Sequence, residues 1–200
     1  MTQWVESPEG GRDRGLRAVV RAWFEVTTAP SRFFRTGVAP GDQAPGLTFA
    51  MVVVFIEELT RFVLVDGAYP VVAGQRTLSA VLWLGVAVLL VAPAGLHLLA
   101  AIETVLLAAL APDRSGVSET VQVFGYATAP CVLAGVPSPL VRSICGLYAF
   151  ALLVVGIETV HDVPTDRAIV LALVPGAIAY GYGFRAFDAI ATVLSNWYII

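Results

Sequence analysis

Residues 119–168 read ETVQVFGYATAPCVLAGVPSPLVRSICGLYAFALLVVGIETVHDVPTDRA. Two apolar runs are joined by the break Val136-Pro137-Ser138-Pro139, and a short polar loop, residues 161–166, closes the second. A helix needs about 20 predominantly apolar residues to cross a bilayer core. The run after the break has that length, and the run before it comes close even with Pro130 inside it. A proline within a span is tolerated where a neighbouring helix answers the carbonyl it frees. The stretch therefore predicts a pair of membrane helices joined by a proline-rich turn.

Composition carries that reading to the whole chain. Of 200 residues, 58% are hydrophobic and only 14% charged, with a mean hydropathy of +0.80. Soluble domains carry about 25% charged residues, and one soluble core could not hide so many long apolar runs. The expected fold class is all-α: a polytopic membrane helix bundle with about five transmembrane helices and an N-terminal interfacial amphipathic helix. The expected spans are residues 46–65, 78–111, 119–136, 140–160 and 167–184. Two regions follow, a cytoplasmic N-terminal segment (residues 1–45) and a transmembrane domain (residues 46–200).

Residues 1–13 form a polar tip. After them Leu16, Val19, Val20, Trp23 and Phe24 recur at helical spacing, with Arg14, Arg17, Arg21 and Glu25 opposite. A helix with arginines on one face and Trp and Phe on the other suits the membrane–water interface, with anionic lipid as its partner. The plainer reading is an amphipathic helix that caps the bundle. Pro30 ends the helix, Ser31-Arg32-Phe33-Phe34-Arg35 follows, and residues 36–45 read as a linker. The run at 78–111 is longer than one crossing needs: at roughly 1.5 Å per residue it spans about 50 Å against a core of about 30 Å. Pro93 and Gly95 near its middle favour one kinked helix over two half-spans. In the last span Ala172, Gly176, Ala179 and Gly183 form a small-residue stripe that lets a neighbouring backbone approach. Arg185 and Asp188 interrupt the run, and Trp197 and Tyr198 in the tail suit an interface. The arginine cluster at residues 14–35 places the N-terminus in the cytoplasm, and five spans put the C-terminus outside.

Chemistry-bearing residues inside apolar runs are few: Glu57, Glu58, Arg61, His97 and Glu103, with Glu158, His161 and Asp162 near a boundary. Ionisable groups in a membrane are costly, so each marks either a polar pathway or a paired structural node. Arg61 lies at i+4 from Glu57 and i+3 from Glu58, within reach of both. Two acids against one base leave one carboxylate needing another partner: His97, Tyr126 or a trapped water. His97 reads as a hydrogen bond to a neighbouring helix rather than a metal ligand, and Glu103 lies too far round to share its face. Glu158, His161 and Asp162 read as a helix end meeting water. Cys131 and Cys145 sit in different runs and read as buried, inert thiols. No phosphate-binding Gly-x4-Gly-Lys, His-Glu-x-x-His or Gly-x-Ser-x-Gly sequence occurs. The expectation is no enzyme, no cofactor, no metal and no nucleic-acid partner.

Tyr126-Ala127-Thr128-Ala129-Pro130, the turn at Pro137, the Val-Gly-Ile segment around Gly156 that runs to His161, and Arg167-Ala168 occur in this order. That order resembles the core of the YIP (Ypt/Rab-interacting protein) membrane-domain family, and Pro30 through Phe34 looks like the lead-in of its prokaryotic members. The resemblance implies a non-enzymatic membrane-organising or protein-interaction role, with a homo-oligomer or other membrane proteins as partners. Eukaryotic relatives bind Rab-type GTPases. This chain has only residues 1–45 ahead of its first span and lacks an Asp-Leu-Tyr-Gly-Pro element, which weighs against a GTPase partner. The competing reading is a small ion-coupled transporter using the buried acids.

Overall fold

The computed structural model describes residues 15–111 and 113–199. The polar tip (residues 1–13), Arg14 of the basic cluster, Pro112 and Ile200 lie outside the described residues. Among the described residues every regular element is helical. In chain order these are α1 (Leu16–Thr28), α2 (Pro30–Gly37), α3 (Ala44–Leu64), α4 (Arg76–Val86), α5 (Ala92–Leu110), α6 (Val117–Ala127), α7 (Pro139–His161), α8 (Thr165–Gly176) and α9 (Ala186–Asn196). A π-helical turn, Ala87–Val91, joins α4 to α5; a 3-10 turn, Ala129–Leu133, follows α6; a second π segment, Ala177–Gly183, prolongs α8.

Prolines punctuate this order. Pro93 is the second residue of α5, directly after the π-turn. Its missing N–H and its ring cannot fit a regular α-turn, and the wider π-turn absorbs the misfit. The helix therefore runs unbroken from Arg76 to Leu110, as the single-helix alternative expects. Pro130 acts differently. The Thr128 hydroxyl donates to the Gly125 carbonyl at 2.7 Å, α6 stops at Ala127, and the chain tightens into the 3-10 turn that holds Pro130. Pro30 closes α1 as expected and also opens α2 as its first residue, in the first turn, where a missing N–H breaks no bond within the helix. The segment at 31–35 is thus helical rather than a simple lead-in.

Two helices, Arg76–Leu110 and Pro139–His161, are long and apolar enough to cross a membrane, and a third if Thr165–Gly183 and Ala186–Asn196, bent by 73°, form one span. At 21 residues α3 has the length, but it carries Glu57, Glu58 and Arg61. α6 and its 3-10 turn form the centre of the bundle: residues 120–131 are all buried. Tyr126 lies there, with Phe33 edge-on at 4.8 Å and Phe49 at 5.2 Å. Close packing depends on missing side chains. A Cβ at Gly125 would run into the Gly46 carbonyl where α6 crosses α3, and one at Gly156 would press on Val123 and Phe34. Among membrane helices, small residues at crossings supply this contact.

α1 lies on this bundle with Ala18, Ala22 and Val26 inward, and the Trp23 indole donates to the Ala129 carbonyl at 2.9 Å. The apolar face read from the sequence is therefore split. Val19 and Trp23 pack on the core, while Leu16, Val20 and Phe24 remain exposed. Alanines at 18 and 22 allow close approach, which turns the inward face toward Ala18, Ala22 and Val26 and leaves Leu16, Val20 and Phe24 outward. The stripe expected on α8 is likewise partial. Ala172, Gly176 and Ala179 are buried, with Gly176 seating the Phe150 ring of α7. Gly183 is exposed, because the wider π segment carries it off the stripe.

Candidate functional site

α3 places Glu57, Glu58 and Arg61 on its inner half, and Arg61 answers Glu58 first. Its Nε and Nη2 both donate to Glu58 Oε2, at 3.0 and 2.5 Å. This is a local pair at i, i+3. Arg61 Nη1 also donates to the Ala68 carbonyl at 2.6 Å, tying down the loop after α3.

The second base arrives from the far end of the chain. After the π segment, Phe184 and Arg185 turn the backbone by 73° into α9. Arg185 occupies the left-handed region at φ 60, which a non-glycine residue adopts only where its surroundings enforce it. The bend aims its guanidinium back into the bundle. Nη2 donates to Glu57 Oε1, and Nη1 reaches Glu58 Oε1 at 3.4 Å. Two carboxylates thus meet two guanidiniums. Glu57 is the most enclosed of the four, with 3% of its side chain exposed against 28% for Arg185. The backbone beneath is equally tight, since a Cβ at Gly135 would collide with the Glu57 carbonyl oxygen. Nearby Arg142 on α7 donates Nε to the Ala134 carbonyl at 3.0 Å, capping the end of the 3-10 turn.

The other sequence candidates fall elsewhere. His97 does not serve as partner to the acids or to another helix: it is exposed, and its Nδ1 bonds the Pro93 carbonyl of its own helix at 2.8 Å. Tyr126 belongs to the aromatic centre. Glu103 is fully buried on the inner face of α5, and neither carboxylate oxygen has a hydrogen-bond partner among the described residues. His161 does not meet water as the last residue of α7; it is buried, with Nε2 3.4 Å from the Thr120 hydroxyl. Glu158 accepts from the Thr165 hydroxyl at 3.0 Å, and Asp162 is exposed at the left-handed cap of α7. Pro130 is buried in the 3-10 turn and Pro137 is exposed in the turn after it. Arg167 donates to the Leu110 carbonyl at 3.0 Å, joining α8 to the end of α5. Cys131 and Cys145 are free and buried.

Arg185 is the residue that sequence reasoning missed. A signal existed: α3 has one base for two acids, and an arginine from beside another apolar stretch, Arg142 or Arg185, could answer the second. Beside the node lies a cavity of about 300 Å³ between α3, the Arg76–Leu110 helix, α6 and the second π segment, with Glu57 and Glu58 in its lining.

Long apolar helices, glycine-mediated crossings and internally neutralised charges define a class, the helical integral membrane proteins. Within that class the Yip1 domain model matches residues 24–184, and the chain belongs to the Yip1 family. No curated protein and no solved structure matches the chain.

Proposed function

We propose that this Yip1-family protein is a non-enzymatic, multi-pass protein of the cell membrane with a membrane-organising or protein-interaction role. The observation that carries the reading is the neutrality of the node. A transport route through the α3 acids would draw on one of them left without a partner, and here Arg61 and Arg185 answer both Glu58 and Glu57. Five spans are assigned: α3, the Arg76–Leu110 helix, α6 with its 3-10 turn, α7, and α8 with its π segment. Residues 1–45 are the cytoplasmic segment and residues 46–200 the membrane domain, with the C-terminus external. Arg17, Arg21, Arg32 and Arg35 supply the positive-inside signal. The outward row Leu16, Val20 and Phe24 beside Arg17 supports α1 as an interfacial helix on anionic lipid. A second copy or another membrane protein is the expected partner, and neither nucleic acid nor a GTPase is assigned.

Proteoliposomes test this reading. A change in vesicle diameter with rising protein-to-lipid ratio is expected, with proton and solute flux no higher than in protein-free vesicles. Saturable flux that disappears in a folded Glu57→Gln/Glu58→Gln variant would overturn it. One observation favours a second reading, a small ion-coupled transporter: Glu103 is buried without a partner among the described residues. Flux lost in Glu103→Gln, with an unchanged thermal midpoint, is what that reading requires.

A further inference from the structure

The cavity beside the node has a composition of its own. At about 300 Å³ it sits at the lower end of the roughly 300–1,000 Å³ typical of small-molecule sites, which suits one hydrocarbon chain. Val54, Leu99, Ile102 and Phe124 line it. At its rim Val91, Leu98 and Ile178 are exposed apolar residues, so the opening faces the surface that lipid chains cover. Both π segments contribute to the walls, Ala87 and Val91 from one and Tyr180 and Gly183 from the other. Such segments recur at functional sites because they displace a helix wall without ending the helix. Gly95 leaves the space open, since a Cβ there would meet nothing within 4 Å.

One end of the cavity is polar. Glu57 and Glu58 line it, whereas Arg61 and Arg185 do not. The node's hydrogen bonds use Glu57 Oε1 and both Glu58 oxygens, and none reaches Glu57 Oε2 among the described residues. A ligand at that end meets acceptors and must donate. Charge narrows the choice further. Two guanidiniums already balance the two carboxylates, so an ammonium would add an unbalanced charge and a carboxylate would face two others. A hydroxyl donates without adding charge.

We infer that this cavity takes the chain of a neutral, hydroxyl-headed, single-chain lipid from the bilayer, its hydroxyl donating to the Glu57 or Glu58 carboxylate. A monoacylglycerol and a long-chain alcohol share that chemistry. The inference is independent of the organising role, since it concerns occupancy of the cavity and not its consequence.

The full chain in phosphatidylcholine nanodiscs, photolabelled with a long-chain alcohol carrying a mid-chain diazirine, provides the test. Saturable labelling of α3, α5 and the second π segment is expected. The unlabelled alcohol should compete about tenfold better than its methyl ether, the size of one charge-assisted hydrogen bond, and better than the carboxylate or amine of equal length. Monoacylglycerol as competitor identifies the source: displacement at lower concentration than the alcohol assigns the glycerol lipid, and weaker displacement assigns the simple alcohol. Gly95→Phe fills the space and should abolish labelling with the thermal midpoint retained; Ala92→Leu serves if that variant does not fold. Equal competition by alcohol and ether would mean that any chain enters, and would overturn the inference. So would an amine that competes tenfold better, or undiminished labelling of a folded, cavity-filled variant.

Discussion

Glu57 and Glu103 are the same residue type on two long helices, 2% and 0% exposed, and they differ in everything that burial does not describe. Glu57 has Arg185 against one oxygen and Glu58 with Arg61 beside it. Glu103 has no hydrogen-bond partner at either oxygen among the described residues. A buried charge that is answered holds elements together, and one that is not subtracts from stability. The pair shows that the depth of an acid in a bundle says little about its role until its partner is known.

The comparison is broken most directly by making Glu57 resemble Glu103. Arg185→Ala leaves Glu57 enclosed without its base and should cost about 3 kcal/mol, the low end for a broken buried pair because the guanidinium keeps a wet flank. The joint change Arg185→Leu with Glu57→Leu should recover most of that loss, and thermal unfolding of the purified variants reads both. No recovery would mean that Arg185 acts through the bend and not through the pair. Gly135→Ala should cost about 2 kcal/mol by overpacking, because its Cβ would strike the Glu57 carbonyl oxygen; a neutral result would show that the 3-10 turn yields freely. Glu103→Leu should raise stability by about 1 kcal/mol by removing an unpartnered polar group. A loss there would reveal a polar partner and bring the two acids into line. Arg61→Ala should cost least, about 1 kcal/mol, since Glu58 retains Arg185 and no acid is left without a base. A larger loss than that of Arg185→Ala would reverse the order of importance within the node.

What the sequence revealed and what it hid divide along a physical line. Features set by neighbours in the chain were legible. Composition gave the membrane class, the i, i+3 spacing gave Glu58 with Arg61, and the Tyr126-to-Ala168 pattern gave the family. Features set by rotation or by distant contact were not. α5 is apolar nearly all round, so nothing in its sequence tells that Leu96, Ala100, Glu103 and Leu107 face inward while His97 faces out. α1 offers an obvious apolar stripe, yet its most buried residues are Ala18, Ala22 and Val26, and part of that stripe stays exposed. Arg185 looked like the end of a span because its function depends on a bend that no local propensity announces. Prolines were legible as interruptions but not as outcomes: Pro93 was absorbed by a π-turn, Pro130 entered a 3-10 turn, and Pro30 started a helix.

The reach of Arg185 has a consequence for how the chain is made. Its partner Glu57 lies 128 residues earlier, and a ribosome adding about 5–20 residues per second needs roughly 6–25 s to cover that distance. Through that interval α3 carries two acids with only Arg61 to answer them, while the most apolar helices of the bundle are still emerging. The pair that ties α3 to the bend before α9 therefore forms only after the helices between them have been made. The contact that secures α3 is thus among the last the bundle can form, since Arg185 is made after every helix from α1 to α8.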